Sequence, residues 1–225
     1  VTRKDPRLFA IATQTPKAEQ EGKAIDDFTA YDGGDPAVPY SLVNDKATAG
    51  LCSKPTERYY KNATNEPMIL MGYTEQQLIL AEGVVRGWIN GDDKTYYESA
   101  VKASFEFYRT YATDVAAYLS EDAAETYLQG SEVVYDSTLS TEQKIERIAM
   151  QKYLPTFLQG GVWLPYYEAL RTGYPDFRRA SGVQLPYRWM YPQSEYNNNA
   201  ANVQAALDSQ FGGGDKTTDK PWWLQ

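Results

Sequence analysis

Chemistry in this chain would have to come from carboxylates. The sequence holds no histidine and one cysteine, Cys52. That removes Ser-His and Cys-His nucleophile pairs and most transition-metal sites. With no CxxC pair there is no zinc signature, and one cysteine forms no intramolecular disulfide. Asp32 and Asp35 are close enough in sequence to suggest an acid/base pair, since glycosidase chemistry sets two carboxyls about 5–9 Å apart across a sugar. They lie in Tyr31-Asp32-Gly33-Gly34-Asp35-Pro36, where Asp is used for its backbone hydrogen bonds. No apolar wall is evident beside them to raise one pKa. Turn formation is therefore the stronger reading. Gly91-Asp92-Asp93 lacks the alternating ligands and closing Glu of a calcium loop, so it reads as a hairpin turn. No GxxxxGK[ST] is present to cradle phosphates. Asn62-Ala63-Thr64 has the spacing of a glycosylation acceptor and is read as chance. No metal and no cofactor are expected.

The rest of the composition narrows the field further. The 225 residues carry a net charge of -8. Nucleic-acid binding needs clustered Lys and Arg to replace counterions, so no nucleic-acid partner is expected. Tyrosine is the outlier, with 19 Tyr against 7 Phe and 5 Trp. Tyr and Trp combine an apolar face with a polar tip, which suits half-exposed surfaces and clefts. No run approaches 18 apolar residues, so nothing here reads as a membrane-spanning helix. Val1-Thr2-Arg3-Lys4-Asp5 is polar and reads as an internal segment, not a signal peptide.

Three segments must position any site. Residues 1–66 are rich in Gly, Pro, Asp and Thr and read as long loops with short strands, a candidate binding face. Residues 67–180 carry helical periodicity. Thr74 and Gln77 have capping-box spacing, and Gln77, Ala81, Val84 and Trp88 share a face. Asn90-Gly91-Asp92 ends that helix and Asp93 caps the next, in which Tyr97, Val101, Ser104, Tyr108 and Tyr111 share a face. The two form an antiparallel hairpin whose aromatic stripe reads as core. Short helical pieces follow around Val115–Leu119. Ser140 and Gln143 form a second capping box for a helix burying Ile145, Ile148, Ala149 and Tyr153, and Pro155 stops it. A further helix covers Trp163 to Arg171. Residues 181–225 are irregular, with a short helix near Ala200 to Leu207 capped by Asn.

These strings, in this order, resemble the SusD/RagB family. Asp5-Pro6-Arg7-Leu8 is similar to its DPRL element. Leu78-Ile79-Leu80-Ala81-Glu82-Gly83 with Arg86-Gly87 resembles its AEA…RG helix, with Gly83 where Ala is usual. Gln151-Lys152, Arg171-Thr172-Gly173-Tyr174-Pro175, Arg188 to Asn197, Gly213-Gly214-Asp215 and Lys220-Pro221-Trp222-Trp223 resemble later elements. Each string alone is weak; their order across almost the whole chain makes the match specific. The family is usually about twice this length, and these elements belong to its C-terminal half. Cys52 is no lipobox cysteine.

The resemblance implies a mainly α fold, with TPR-like helical hairpins packed against a loop-rich subdomain with a few short strands. Ala81, Val84, Tyr97 and Ala100 occupy repeat packing positions. All segments are then parts of one domain whose N-terminal half is absent, and one hairpin cannot bury its own face. The family also implies a non-enzymatic, lipid-anchored protein at the outer-membrane surface. Its partners are an oligosaccharide or other nutrient, a SusC-like TonB-dependent transporter, and the N-terminal half of the same protein. A glycan-cleaving hydrolase, a peptide-binding member and a protein-only TPR scaffold are the alternatives. Sugar recognition asks for flat rings flanked by planar polar groups, and the family places contacts in loops. The candidates are Tyr31 and Tyr40, with Asp32, Asp35 and Asn44 as hydrogen-bonding neighbours, then Tyr59 and Tyr60. Trp163, Trp189, Trp222 and Trp223 are assigned to packing, and Arg171 to support of the fold through carboxylates or carbonyls.

Overall fold

The computed structural model describes residues 3–62 and 64–224. Val1, Thr2 and Ala63 of the acceptor-like triplet lie outside them. The chain divides into two units, Val1–Asp176 and Phe177–Gln225.

In the first unit the loop-rich part holds three short helices, α1 (Leu8–Ile11), α2 (Pro16–Gln20) and α3 (Tyr40–Thr48). The expected short strands are absent among the described residues. Pairing is limited to one isolated bridge, Ala12 with Pro55. The Thr13 amide donates to the Lys54 carbonyl and the Thr56 amide to the Ile11 carbonyl, but Pro55 between them has no N–H with which to extend a ladder. Phe9 anchors this part, with its ring 5.0 Å from Phe28 and 5.5 Å from Tyr31.

The helical part is built on a hairpin of α4 (Tyr73–Val85) and α5 (Asp93–Tyr111). Ala81 and Ala100 are fully buried, and such small side chains let the two helix axes approach; Leu78, Tyr97, Val101 and Phe105 fill the seam. Helix α4 starts one residue before the expected cap. Gly72 occupies the N-cap without a side chain to offer, and Gln77 is buried instead of reaching back. The helix also ends earlier than Asn90. Gly87 takes a left-handed φ of 71°, its amide donates to the Val84 carbonyl and the Trp88 amide donates to the Gly83 carbonyl. That double bond is the Schellman stop, which needs a residue tolerant of positive φ. It turns Trp88 outward, off the expected buried face. Gly83 has its own reason: a Cβ there would stand 3.2 Å from the Ile89 side chain.

Helix α5 is capped by Asp92, not Asp93. Asp92 is extended and accepts from the Lys94 amide, whereas Asp93 is already helical. Its Tyr97, Val101, Ser104 and Tyr108 are buried as the spacing predicts, and Tyr111 at the last position of the helix is exposed. Helix α6 (Glu121–Leu128) follows a 3-10 turn at Ala116–Tyr118. Helix α7 (Thr141–Tyr153) carries the full Ser140–Gln143 capping box and stops into a 3-10 turn containing Pro155. It lies against α4, and α8 (Leu164–Thr172) lies against α7.

The second unit contains α9 (Gln193–Asn198) and α10 (Ala200–Phe211). Helix α10 buries Val203 and Leu207 and runs on to a left-handed Gly212. Asn199 does not cap it: its side-chain oxygen accepts from the Asn202 side chain.

Candidate functional site

Helix α3 buries none of its residues. Tyr40 opens it at 82% exposure, and Asn44 stands one turn later on the same face, also exposed. Leu42 beside them is exposed too. The helix is tied back by Lys46, whose ammonium lies 2.7 Å from an Asp32 carboxylate oxygen and donates to the Gly33 carbonyl at 2.8 Å. Asp32 is thus the tether of the turn to the helix. Asp35 accepts the Ala37 amide at 2.9 Å, the local Asx bond of a turn residue. Each carboxylate has a structural task.

Tyr31 is different from its neighbours. It is 5% exposed, its ring packs on Phe9, and its hydroxyl donates to the Ile25 carbonyl at 2.8 Å. Burial pushes its phenol up to about 12. It closes the loop onto the core and cannot stack on a ligand, which corrects the sequence reading. A turn-rich neighbourhood predicted exposure, but the preceding 3-10 turn at Phe28–Ala30 swings the ring inward. Tyr59 is half-buried, with the Arg58 guanidinium 5.2 Å from its ring centre and Phe157 edge-on at 6.4 Å. Burial raises its phenol also. Tyr60 is exposed. The structure therefore leaves Tyr40, Asn44, Asp32 and Tyr60 accessible, and groups Tyr40 with Asn44.

The residues that carry the sequence motifs do something else. Glu82, on the inner side of α4, accepts from Arg171 at 2.5 and 2.8 Å, from Arg86 at 2.7 Å and from Lys152 at 3.0 Å. Arg171 also reaches Glu168. Burial pushes the Glu82 carboxyl up, but the bonds from Arg171, Arg86 and Lys152 outweigh it and bring it to about 2. One carboxylate so joins α4, α7 and α8. Arg7 is the second knot. It is 1% exposed, bonds Asp5 in a fork and donates to Ser104 of α5 and Gln151 of α7 at 2.9 and 3.0 Å. Its guanidinium lies 4.9 Å from the Phe105 ring centre and 5.0 Å from that of Tyr127, two rings that are themselves 5.5 Å apart. In the second unit Asp215 holds Arg188, the Tyr191 amide and the Tyr196 hydroxyl. The tryptophans assigned to packing, Trp163, Trp189, Trp222 and Trp223, are instead largely exposed.

Sequence reasoning missed one feature. A cleft of about 660 Å³ opens between residues 68–79, the end of α7 and the start of α8. Its walls include Met68, Leu70, Tyr73, Ile79, Tyr153 and Trp163. The run Met68-Ile69-Leu70-Met71 is the signal that could have found it. Among the described residues no cluster of His, Cys, Asp or Glu is arranged to hold a metal, and no helix is long and apolar enough to cross a membrane.

Comparison with known proteins bears on this arrangement. A family model for SusD-like proteins, described as starch-binding and associating with the outer membrane, matches residues 1–192. An outer-membrane protein of Bacteroides vulgatus for which a role in nutrient binding has been suggested is similar in structure, with a TM-score of 0.96 and 77% identity over 100% of this chain and 49% of that one. A SusD homologue from Bacteroides fragilis gives 0.91 and 52% identity, with the same coverage. A chitin-binding protein gives 0.68 and 25% identity over 98% of this chain and 47% of its own. The chain spans about half the length of these solved relatives. Among proteins with curated functions, none matches it.

Proposed function

Because this chain belongs to the SusD-like family, we propose that it binds an oligosaccharide at the outer-membrane surface and passes it, uncleaved, to a SusC-like TonB-dependent transporter. The observation that carries this reading is α3, a helix that buries nothing and presents Tyr40 and Asn44 on one face. A pyranose has an apolar C–H face that stacks on a flat ring, and its hydroxyls pair with planar amides. Tyr40 supplies the ring and Asn44 supplies both a donor and an acceptor. Lys46, held by Asp32, fixes the helix that carries them. A single stacked ring with a few exposed hydrogen bonds gives modest affinity, which suits a module that must release its cargo.

The absence of turnover is part of the same reading. Asp32 and Asp35 are occupied as tether and turn former, so neither is poised as a proton donor. The glycan-binding descriptions of relatives support an oligosaccharide as cargo.

Affinity electrophoresis in gels containing starch, glycol chitin and other polysaccharides tests the proposal, alongside a reducing-end assay. Retardation by at least one glycan is expected, with retardation lost in Tyr40→Ala and no reducing ends released. Sustained release would make the protein a hydrolase. Full retardation of a Tyr40→Ala, Asn44→Ala double variant would remove α3 as the platform, and indifference to every glycan would remove carbohydrate as the cargo.

A further inference from the structure

We propose that the turn between α4 and α5 is a site of spontaneous covalent modification, where Asn90 loses its side-chain amide to attack by the backbone nitrogen of Gly91. Asn90-Gly91 is the one Asn-Gly pair in the sequence. Asparagine is thermolabile because the next residue's nitrogen, a built-in nucleophile, lies within reach of its side-chain carbonyl. In a folded chain three conditions decide whether the attack proceeds. Water must reach the pair, the side-chain amide must be free, and so must the attacking N–H.

All three are met here. Asn90 and Gly91 are both exposed. Among the described residues the Asn90 amide has no hydrogen-bond partner and the Gly91 N–H donates to no acceptor. The pair lies between two helix ladders: α4 has already stopped at Gly87, and the Tyr96 amide of α5 reaches back only to the Asp92 carbonyl. Gly91 has no Cβ to obstruct the approach. The packing of α4 against α5 also keeps that residue a glycine. A Cβ on it would stand 2.9 Å from a Tyr96 ring carbon and 3.1 Å from a Val84 methyl. The close turn and the labile pair therefore have one cause.

The reaction needs water and no other reagent. The Gly91 nitrogen bonds to Asn90 Cγ, and the side-chain amide leaves as ammonia, taking up the Gly91 proton. The product is a five-membered succinimide. Water then opens one of its two carbonyls. Opening at Cγ gives aspartate; opening at the main-chain carbonyl gives isoaspartate, in which the backbone runs through Cβ and Cγ. Both products place a third carboxylate beside Asp92 and Asp93. Isoaspartate also lengthens the main chain two residues before Asp92, which caps α5 by accepting from the Lys94 amide at 3.1 Å and the Thr95 hydroxyl at 2.6 Å. Gly91 is hemmed in by Tyr96 and Val84, so the added length displaces the cap.

The test incubates the native chain in mildly alkaline buffer at physiological temperature and follows two tryptic peptides by mass spectrometry and reverse-phase chromatography. Peptide 87–94 contains Asn90 as its one asparagine; peptide 24–46 contains Asn44, which is followed by Asp45 inside α3 and serves as the control. Asn90 is expected to convert at least tenfold faster than Asn44, at a rate within threefold of that of a synthetic 87–94 peptide, and to give both aspartate and isoaspartate. A native chain that keeps its Asn90 amide while the synthetic peptide converts at least tenfold faster would overturn the proposal, because the turn would then shield the pair. Aspartate without isoaspartate would also overturn it, since a succinimide opens both ways. The aged chain should unfold at a lower urea concentration than the fresh one, while Asn90→Ser aged in parallel and fresh Asn90→Asp should not. An equal fall in fresh Asn90→Asp would assign the effect to charge and overturn the displaced cap. The α3 reading is independent of these outcomes, because its readout is retardation by glycan.

Discussion

Replacing Glu82 by Gln keeps the shape of the side chain and one acceptor but removes the charge that three basic side chains share. In the native chain that carboxyl is drawn from 4.5 to about 2. A shift of this size corresponds to about 3 kcal/mol of stability at neutral pH, since each unit is worth about 1.4 kcal/mol. Arg171 and Arg86 are partly open to water, which screens them, so about 2–3 kcal/mol is the working figure. For a chain of this length that is a fall of about 5–10 °C in Tm. The sign in acid follows from the direction of the shift. A carboxyl with a depressed folded pKa stabilises above its unfolded pKa and loses that contribution as pH falls through the folded value. The gap between native and Glu82→Gln chains should therefore be full at pH 7, begin to close below about pH 4.5, and stand at less than half by pH 3. Urea denaturation followed by circular dichroism across pH 7 to 3 measures it, with unchanged m-values confirming that stability alone moved. A gap under about 0.5 kcal/mol at pH 7, or one that stays constant into acid, would show that Glu82 does not hold α4, α7 and α8 together in the way its geometry implies.

Two further outcomes follow from the other buried knots. Arg7→Met keeps a side chain against Phe105 and Tyr127 but leaves Asp5, Ser104 and Gln151 without their donor; a loss of about 3–5 kcal/mol is expected in urea denaturation, and Arg7→Lys, which lacks the fork, should recover only part of it. Tyr31→Phe removes the bond to the Ile25 carbonyl and should cost about 1 kcal/mol in the same assay while leaving glycan retardation unchanged; loss of retardation at native-like stability would return Tyr31 to the binding face.

Much of the frame was legible because its signals are local. Ser140 and Gln143 are three residues apart, Pro155 acts on its own turn, and the buried face of α5 repeats every three or four residues. Where two local signals competed, sequence could not choose. Thr74 offered a cap, but Gln77 was drawn into the core; Asp92 and Asp93 are chemically identical, and only the backbone conformation at Asp92 decides which one caps. The expected strands failed for a reason visible in one residue, Pro55, once its partner Ala12 is known; that pairing spans 43 positions and leaves no periodic trace.

The motifs show the same limit at longer range. Glu82, Lys152 and Arg171 could be quoted as separate strings, yet their meaning is that they meet, across sequence separations of 70 and 89 residues. The same holds for Arg7 with Ser104 and Gln151. In each case a charge is buried where it would be costly unless fully paired, so every partner is constrained by the others. Tyr40 and Asn44 carry no such constraint: α3 buries nothing, and its ring and amide can change without disturbing a core. A fold divided this way can keep its helical frame fixed by a few interlocked ions while the residues of the proposed platform on α3 change. Recognisable strings therefore mark the frame, and the residues that choose a ligand are to be sought where the sequence matches no string at all.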